Sequence, residues 1–174
     1  MVIENFELNI EIFRLLNNLN NPFLDTFFLY FSYLGSGFVL IPVVTLTYFL
    51  RREKLKFLLL SILIETAFVI FLKTFFNQPR PATLLEDVHL LVPLYWRSFP
   101  SGDTAMAFTI ATVLSKGEKR ILKIMLFVYA FLIGYGRIYL GVHFPLDVFV
   151  GALIGIISVN ISYKILKGGK HERD

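Results

Sequence analysis

Three short segments, far apart in the chain, carry residues that together could hold and attack a tetrahedral oxyanion. They are Lys73-Thr-Phe-Phe-Asn-Gln-Pro-Arg80-Pro81, Phe99-Pro100-Ser101-Gly102-Asp103 and Gly136-Arg137-Ile-Tyr-Leu-Gly-Val-His143-Phe-Pro-Leu-Asp147. A guanidinium presents paired N–H donors that match two oxygens of a phosphate, whereas Lys acts as a point charge. Ser101 and Gly102 read as a helix start, where unpaired backbone N–H groups and the helix dipole favour an anion. Gly102 lacks a Cβ, which lets the backbone come close. His143 can attack phosphorus through one ring nitrogen if Asp147 holds the other and keeps the attacking one unprotonated. Their i, i+4 spacing fits one helix face, although Pro145 places His143 ahead of the helix proper. With Lys73, Arg80 and Arg137 neutralising charge, this chemistry calls for no metal and no cofactor.

Long apolar helices must position these segments. The chain has 174 residues, is 56% hydrophobic and contains 19 Phe, an apolar load too heavy for a soluble domain of that size. The apolar residues gather into blocks at 27–50, 55–76, 101–115, 121–138 and 146–166. All but the third approach the roughly 20 residues that a membrane span needs. The expected fold is therefore all-α, an integral-membrane helical bundle of about five transmembrane helices, or six if the N-terminus inserts. Gly35-Ser36-Gly37 interrupts the first block, which reads either as one span or as two shorter helices. At the N-terminus, Phe6, Ile10, Phe13, Leu16 and Leu19 recur at helical spacing against Glu7, Glu11, Arg14 and Asn18. That pattern predicts an amphipathic helix lying in the interface; the alternative is a polar first turn of a longer span. The expected organisation is one membrane domain over 1–174, with an interfacial helix at 1–22, the bundle at 23–166 and a cytoplasmic tail at 167–174.

Charge sets the orientation. Arg51, Arg52, Lys54 and Lys56, then Lys116, Lys119, Arg120 and Lys123, then Lys164, Lys167, Lys170 and Arg173 hold 12 of the 17 Lys and Arg residues. Five spans put all three clusters on one side, which the positive-inside rule makes cytoplasmic together with the C-terminus. Arg14, Lys73, Arg80, Arg97 and Arg137 then lie on the opposite face, where an anion pocket accounts for them. The net charge of +4 is not gathered into a basic groove or helix face, so nucleic acid is not an expected partner. Glu4, Glu7 and Glu11, with no basic residue ahead of an apolar run, do not read as a signal peptide. The absence of Cys excludes a disulfide framework and Cys-ligated metal.

The three segments resemble the tripartite signature of the type 2 phosphatidic acid phosphatase family, related to vanadium haloperoxidases: K-x6-RP, PSGH and SR-x5-H-x3-D. Lys73, Arg80 and Pro81 match the first part; Arg137, His143 and Asp147 match the third, with Gly136 in place of Ser. The resemblance implies a metal-independent phosphatase in the cytoplasmic (inner) membrane. It would form a phosphohistidine intermediate at an outward-facing site, its phosphate bound by Lys73, Arg80, Ser101, Gly102 and Arg137. Lipid A 1-phosphate, undecaprenyl diphosphate and phosphatidylglycerol phosphate are the membrane-lipid substrates it implies. In the middle part, Asp103 stands where the family has the His that protonates the leaving oxygen. Three readings stay open. Asp103 is a protonated acid, or the leaving group needs little protonation, or Asp103 is a helix-start residue and His89 or water supplies the proton.

Outside the motifs, Glu65 lies mid-span and is expected to hydrogen-bond another helix, the alternative being a proton relay. Gly151-x-x-x-Gly155 is expected to pack within the bundle. Loop 77–100 mixes Glu86, Asp87 and His89 with Leu84, Leu85, Leu90, Leu91 and Trp96, a pattern that suits either a cover dipping into lipid headgroups or a plain cap on the bundle. Arg97, near the second segment, could touch a headgroup or snorkel. The rival readings are a lipid-to-lipid phosphotransferase and an anion channel or carrier; the latter needs polar residues along several spans, which are nearly bare apart from Glu65. Oligomeric state is left open.

Overall fold

The computed structural model describes residues 2–168; Lys170 and Arg173 of the last basic cluster lie outside them. Among the described residues the chain is helical, with one isolated bridge between Pro79 and Trp96. The helices are α1 (Glu7–Asn17), α2 (Pro22–Phe31), α3 (Leu40–Leu50), α4 (Arg52–Phe76), α5 (Pro81–Leu84), α6 (Gly102–Ser115), α7 (Arg120–Tyr139) and α8 (Pro145–Gly168). Their ends follow local chemistry. Asn21 caps α2 by accepting from the Leu24 N–H at 3.0 Å, with Pro22 in the first turn. Asn77 leaves α4 in the left-handed region at φ 40, and Pro81 and Pro145 open α5 and α8.

Three helices, α4, α7 and α8, are long and apolar enough to cross a membrane. A fourth span is formed if 22–34 and 37–50 are taken as one element bent by 53°. The bend falls at Gly35-Ser36-Gly37, and a Cβ on Gly35 would come within 2.6 Å of Ile133. By length and composition three or four spans qualify against the expected five, because the block 101–115 forms α6, only 14 residues long, although it runs from the site end of the bundle toward the other end. At 1.5 Å per residue it reaches about 21 Å, short of the roughly 30 Å hydrocarbon core. Instead α6 is the enclosed centre of the bundle, packed against α4, α7 and α8. Small residues allow this: Thr104, Ala105, Ala107, Thr109 and Ala111 are all buried. Around it, Leu63, Ile70 and Phe71 on α4, Phe131 on α7 and Phe149 on α8 are exposed. Such an outward apolar surface suits lipid rather than water, and the chain is a helical membrane protein.

α1 packs on the bundle, with Ile10, Phe13 and Leu16 of the expected apolar stripe against Ile138 and Phe144. Its inward face is Asn9, Phe13 and Asn17, whereas Leu8, Leu15 and Leu19 are exposed. Asn17 Nδ2 donates to Tyr139 O at 2.9 Å, and Asn9 Oδ1 accepts from the Leu146 N–H at 3.1 Å. The helix is therefore bolted to the α7–α8 connection by side-chain amides, a role its apolar spacing did not announce. Loop 77–100 likewise caps the bundle: Leu84, Leu85 and Val88 pack with Phe13, Ile138 and Phe144, and Leu90 and Leu91 pack with Phe28 and Tyr139. Glu65 is buried, but the hydrogen bond it makes is to Thr66 of its own helix at 3.2 Å rather than to another helix.

Gly151 and Gly155 do pack within the bundle, as expected. A Cβ would lie 2.5 Å from Ser101 O at the first and 2.5 Å from Ala105 O at the second. Both obstacles are backbone, so neither glycine can be filled without moving α6 against α8. Gly155→Ala should destabilise the protein by about 1–3 kcal/mol through overpacking. Thermal unfolding in detergent micelles checks this, with Gly37→Ala, where nothing lies within 4 Å of the added atom, expected to leave the midpoint unchanged.

Candidate active site

The end of α4, the start of α6, the end of α7 and the start of α8 meet at one end of the bundle, because successive long helices run in opposite directions. The turn after α7 sets His143. Its N–H and that of Val142 both donate to Arg137 O at 3.2 Å, and Gly141 adopts φ 76. Positive φ favours glycine, and a Cβ there would also strike His89 O at 2.6 Å.

His143 and Asp147 are almost wholly buried and joined, Nδ1 to Oδ2, at 3.0 Å. Oδ2 also accepts from Ser98 Oγ and, at 2.9 Å, from the Phe144 N–H. Arg80 Nη1 lies 3.5 Å from His143 Nε2. A guanidinium has only donors, so the Nε2 it faces is the bare nitrogen and the proton sits on Nδ1, directed at the carboxylate. Burial, with Arg80 and Lys73 adding to it, holds the imidazole of His143 far below its ordinary value of 6.5, at about 3, against the opposing pull of Asp147.

The cations are anchored by backbone carbonyls. Lys73 Nζ donates to Arg97 O at 2.7 Å and Ser98 O at 3.1 Å. Arg80 donates from Nε to Trp96 O at 2.9 Å and from Nη1 to Val142 O at 3.0 Å. Burial, and next the like charge of Arg137, pull the Arg80 guanidinium down to about 10, so it remains charged at neutral pH. Arg137 Nη1 pairs with Asp103 Oδ2 at 3.0 Å, while its buried Nε has no hydrogen-bond partner among the described residues. Clustered cations with an unused buried donor make a cradle for an anion.

The remaining expected residues fall unevenly. Ser101 is buried at the cap of α6, but its N–H donates to the Asp147 backbone carbonyl at 3.1 Å and its hydroxyl bonds Thr104 at 2.9 Å. Its amide is therefore already used, which leaves Gly102 as the helix-start donor of that pair. A Cβ on Gly102 would sit 3.9 Å from Lys73 Cε, beside the cations. Arg97 contributes its carbonyl to Lys73, with its side chain exposed. His89 is not brought to the cluster: its Nε2 bonds Asp25 at 3.0 Å and its backbone N–H donates to Asn17. Ser98, Glu4 and Asn9 were not singled out by sequence reasoning. Ser98 stands three residues before Ser101, and only that closeness could have drawn attention to it.

A helical bundle with a His–Asp pair and three cations at the mouth of its central helix defines a membrane phosphatase. The chain belongs to the PAP2 superfamily, whose family model matches residues 54–169. It is 32% identical over 155 residues to the undecaprenyl-diphosphatase of Sulfolobus acidocaldarius, covering 87% of this chain and 75% of that protein. With the lipid A 4'-phosphatase of Porphyromonas gingivalis it shares 28% identity over 173 residues, covering 91% and 73%. The crystal structure of Aquifex aeolicus LpxE matches with a TM-score of 0.93 at 70% identity, covering 94% of this chain and 99% of that one. The chain is a PAP2 lipid phosphatase.

The depressed imidazole has a measurable consequence. Folded His143 refuses a proton that the unfolded chain accepts, so its contribution to stability is complete above its ordinary value of 6.5 and is lost as pH falls toward about 3. The thermal midpoint of the wild type should therefore fall more steeply with acidification through that window than the midpoint of His143→Gln.

Proposed function

We propose that the protein removes the phosphate of lipid A 1-phosphate by metal-independent hydrolysis, with His143 as nucleophile. The single observation that carries the nucleophile is the His143 ring itself, with Nδ1 held by Asp147 at 3.0 Å and Nε2 facing Arg80 at 3.5 Å. Lys73, Arg80, Arg137 and the Gly102 amide bind the phosphate. Nε2 attacks phosphorus in line, an N–P bond forms and the bond from phosphorus to the lipid oxygen breaks. Water then attacks the phosphohistidine, releasing inorganic phosphate and restoring the imidazole. Three cations already supply the charge stabilisation that a metal would bring. We place the protein in the cytoplasmic membrane, its site facing the periplasm or exterior, with the basic clusters and the C-terminus on the cytoplasmic side.

The substrate reading rests on Asp103. Its carboxylate accepts from Arg137 at 3.0 Å, the arrangement of an acceptor, whereas a general acid must carry a proton. His89 is engaged elsewhere. The leaving oxygen must then depart with little help, which suits the anomeric oxygen of a sugar 1-phosphate. A lipid diphosphate shares that property, and the likeness to an undecaprenyl-diphosphatase makes it the second reading.

Phosphate release from purified lipids tests both parts. His143→Ala should lower the rate on every substrate by at least about 10³-fold, as loss of a nucleophile does. Activity should survive a strong chelator; recovery of a chelated, inactive enzyme on adding magnesium would refute the metal-free route. Lipid A 1-phosphate and undecaprenyl diphosphate should both turn over faster than phosphatidylglycerol phosphate, whose leaving group is an alkyl alcohol. Asp103→His should narrow that gap by supplying an acid, worth about 10²–10⁴-fold where a proton is needed. Equal rates on all three lipids would overturn the leaving-group argument.

A further inference from the structure

One buried ionisable side chain beside the site has no part in the steps above. Glu4 is fully buried, and neither of its carboxyl oxygens has a hydrogen-bond partner among the described residues; the same holds for Oδ1 of Asp147. The two carboxyl groups lie within hydrogen-bonding reach of each other. Two carboxylates cannot bond each other, since both only accept, but a carboxylic acid donates to a carboxylate. A single proton on Glu4 therefore pairs one of its oxygens with Oδ1 of Asp147 and spares the two groups a meeting of like charges in a dry environment.

We propose that Glu4 is a positioning residue of the active site: it holds a proton and donates it to Oδ1 of Asp147, fixing that carboxylate and, through it, His143. The backbone is arranged for this. The Ile3 N–H donates to Gln78 Oε1 at 2.9 Å, and Asn9 Nδ2 donates to Glu4 O at 2.8 Å. Asn9 Oδ1 also accepts from the N–H of Leu146, next to Asp147, at 3.1 Å, so one side chain ties the Glu4 turn to the first turn of α8. The charged groups facing Glu4 are Asp147 from α8, Lys73 from α4 and Arg80 from the loop after it. Burial, then the hydrogen bond and charge of Asp147, push the Glu4 carboxyl well above the usual range against the pull of Lys73 and Arg80. Both oxygens of Asp147 are then accounted for: Oδ2 accepts from Ser98, His143 and Phe144, and Oδ1 from Glu4. A hydrogen bond at Oδ1 lowers the basicity of the carboxylate, so the shared proton stays on Nδ1 and Nε2 stays free to attack.

The inference rests on His143 being the nucleophile, and its test separates the two. Infrared difference spectra of the full chain at neutral pH, wild type against Glu4→Gln, should show a protonated carboxylic acid band that the variant lacks. That measurement needs no turnover, so it stands even if His143→Ala proved active. On lipid A 1-phosphate, Glu4→Gln should keep kcat within about threefold, because its amide N–H replaces the O–H as donor. Glu4→Ala should lose about 10–100-fold in kcat with KM little changed, the usual cost of removing a partner that orients a functional side chain. Absence of the band, full activity in Glu4→Ala, or a Glu4→Gln variant as impaired as Glu4→Ala would each overturn the proposal. Should Glu4→Ala fail to fold, the band and the Glu4→Gln rate decide.

Discussion

The buried carboxylate of Asp147 organises the polar end of this bundle. A charge removed from water costs several kcal/mol unless donors converge on it, and here they arrive from distant parts of the chain. Ser98 comes from the loop after α5, Phe144 and His143 from the turn before α8. The backbone carbonyl of the same residue takes the Ser101 N–H, which fixes where α6 begins. One residue thus sets the loop, the helix start and the imidazole relative to one another. The N-terminal segment completes the arrangement through Asn9 at Leu146 and Asn17 at Tyr139.

Electrostatics explain why the cluster suits an anion. Lys73, Arg80 and Arg137 interact across the site with Asp103 and Asp147. Two carboxylates do not balance three cations and a neutral imidazole, so a bound phosphate relieves repulsion as well as making new bonds. Carbonyls of Trp96, Arg97, Ser98 and Val142 hold Lys73 and Arg80 in place without neutralising them. The Asp103–Arg137 pair removes part of the positive charge of the cluster.

The scaffold serves this by enclosing a short helix. A helix of 14 residues is shorter than a full span, and its N-terminus would be costly in lipid. Wrapped by α4, α7 and α8, α6 opens instead onto polar groups. Gly151 and Gly155 bring α8 against its backbone, so the His143–Asp147 turn and the start of α6 share one close contact. Exposed apolar side chains on the outer helices then face lipid, which puts a polar site within reach of a lipid headgroup.

Much of this was legible in the residues alone. Apolar blocks gave the long helices, because burying backbone in lipid demands continuous helix. Lys73, Arg80, Arg137, His143 and Asp147 stood out because ionisable residues at the end of apolar spans need a reason, and their spacing resembled one family's signature. The Gly151–Gly155 contact was legible for the same kind of reason, since small residues at that spacing permit close helices. What tertiary structure decided was how each polar group is used. The Ser101 amide is taken by a carbonyl from α8, His89 is turned to Asp25, and Asp103 to Arg137. Three or four helices are long and apolar enough to span where five were expected, because α6 has only 14 residues, and its enclosure by α4, α7 and α8 is something hydropathy along one segment cannot register. Nothing in the helical pattern of the N-terminus set Glu4 and Asn9 apart, and only docking against α8 buried them beside Asp147. Sequence records which groups are present and at what spacing along one helix; which donor meets which acceptor across helices depends on distances that arise only when the bundle closes.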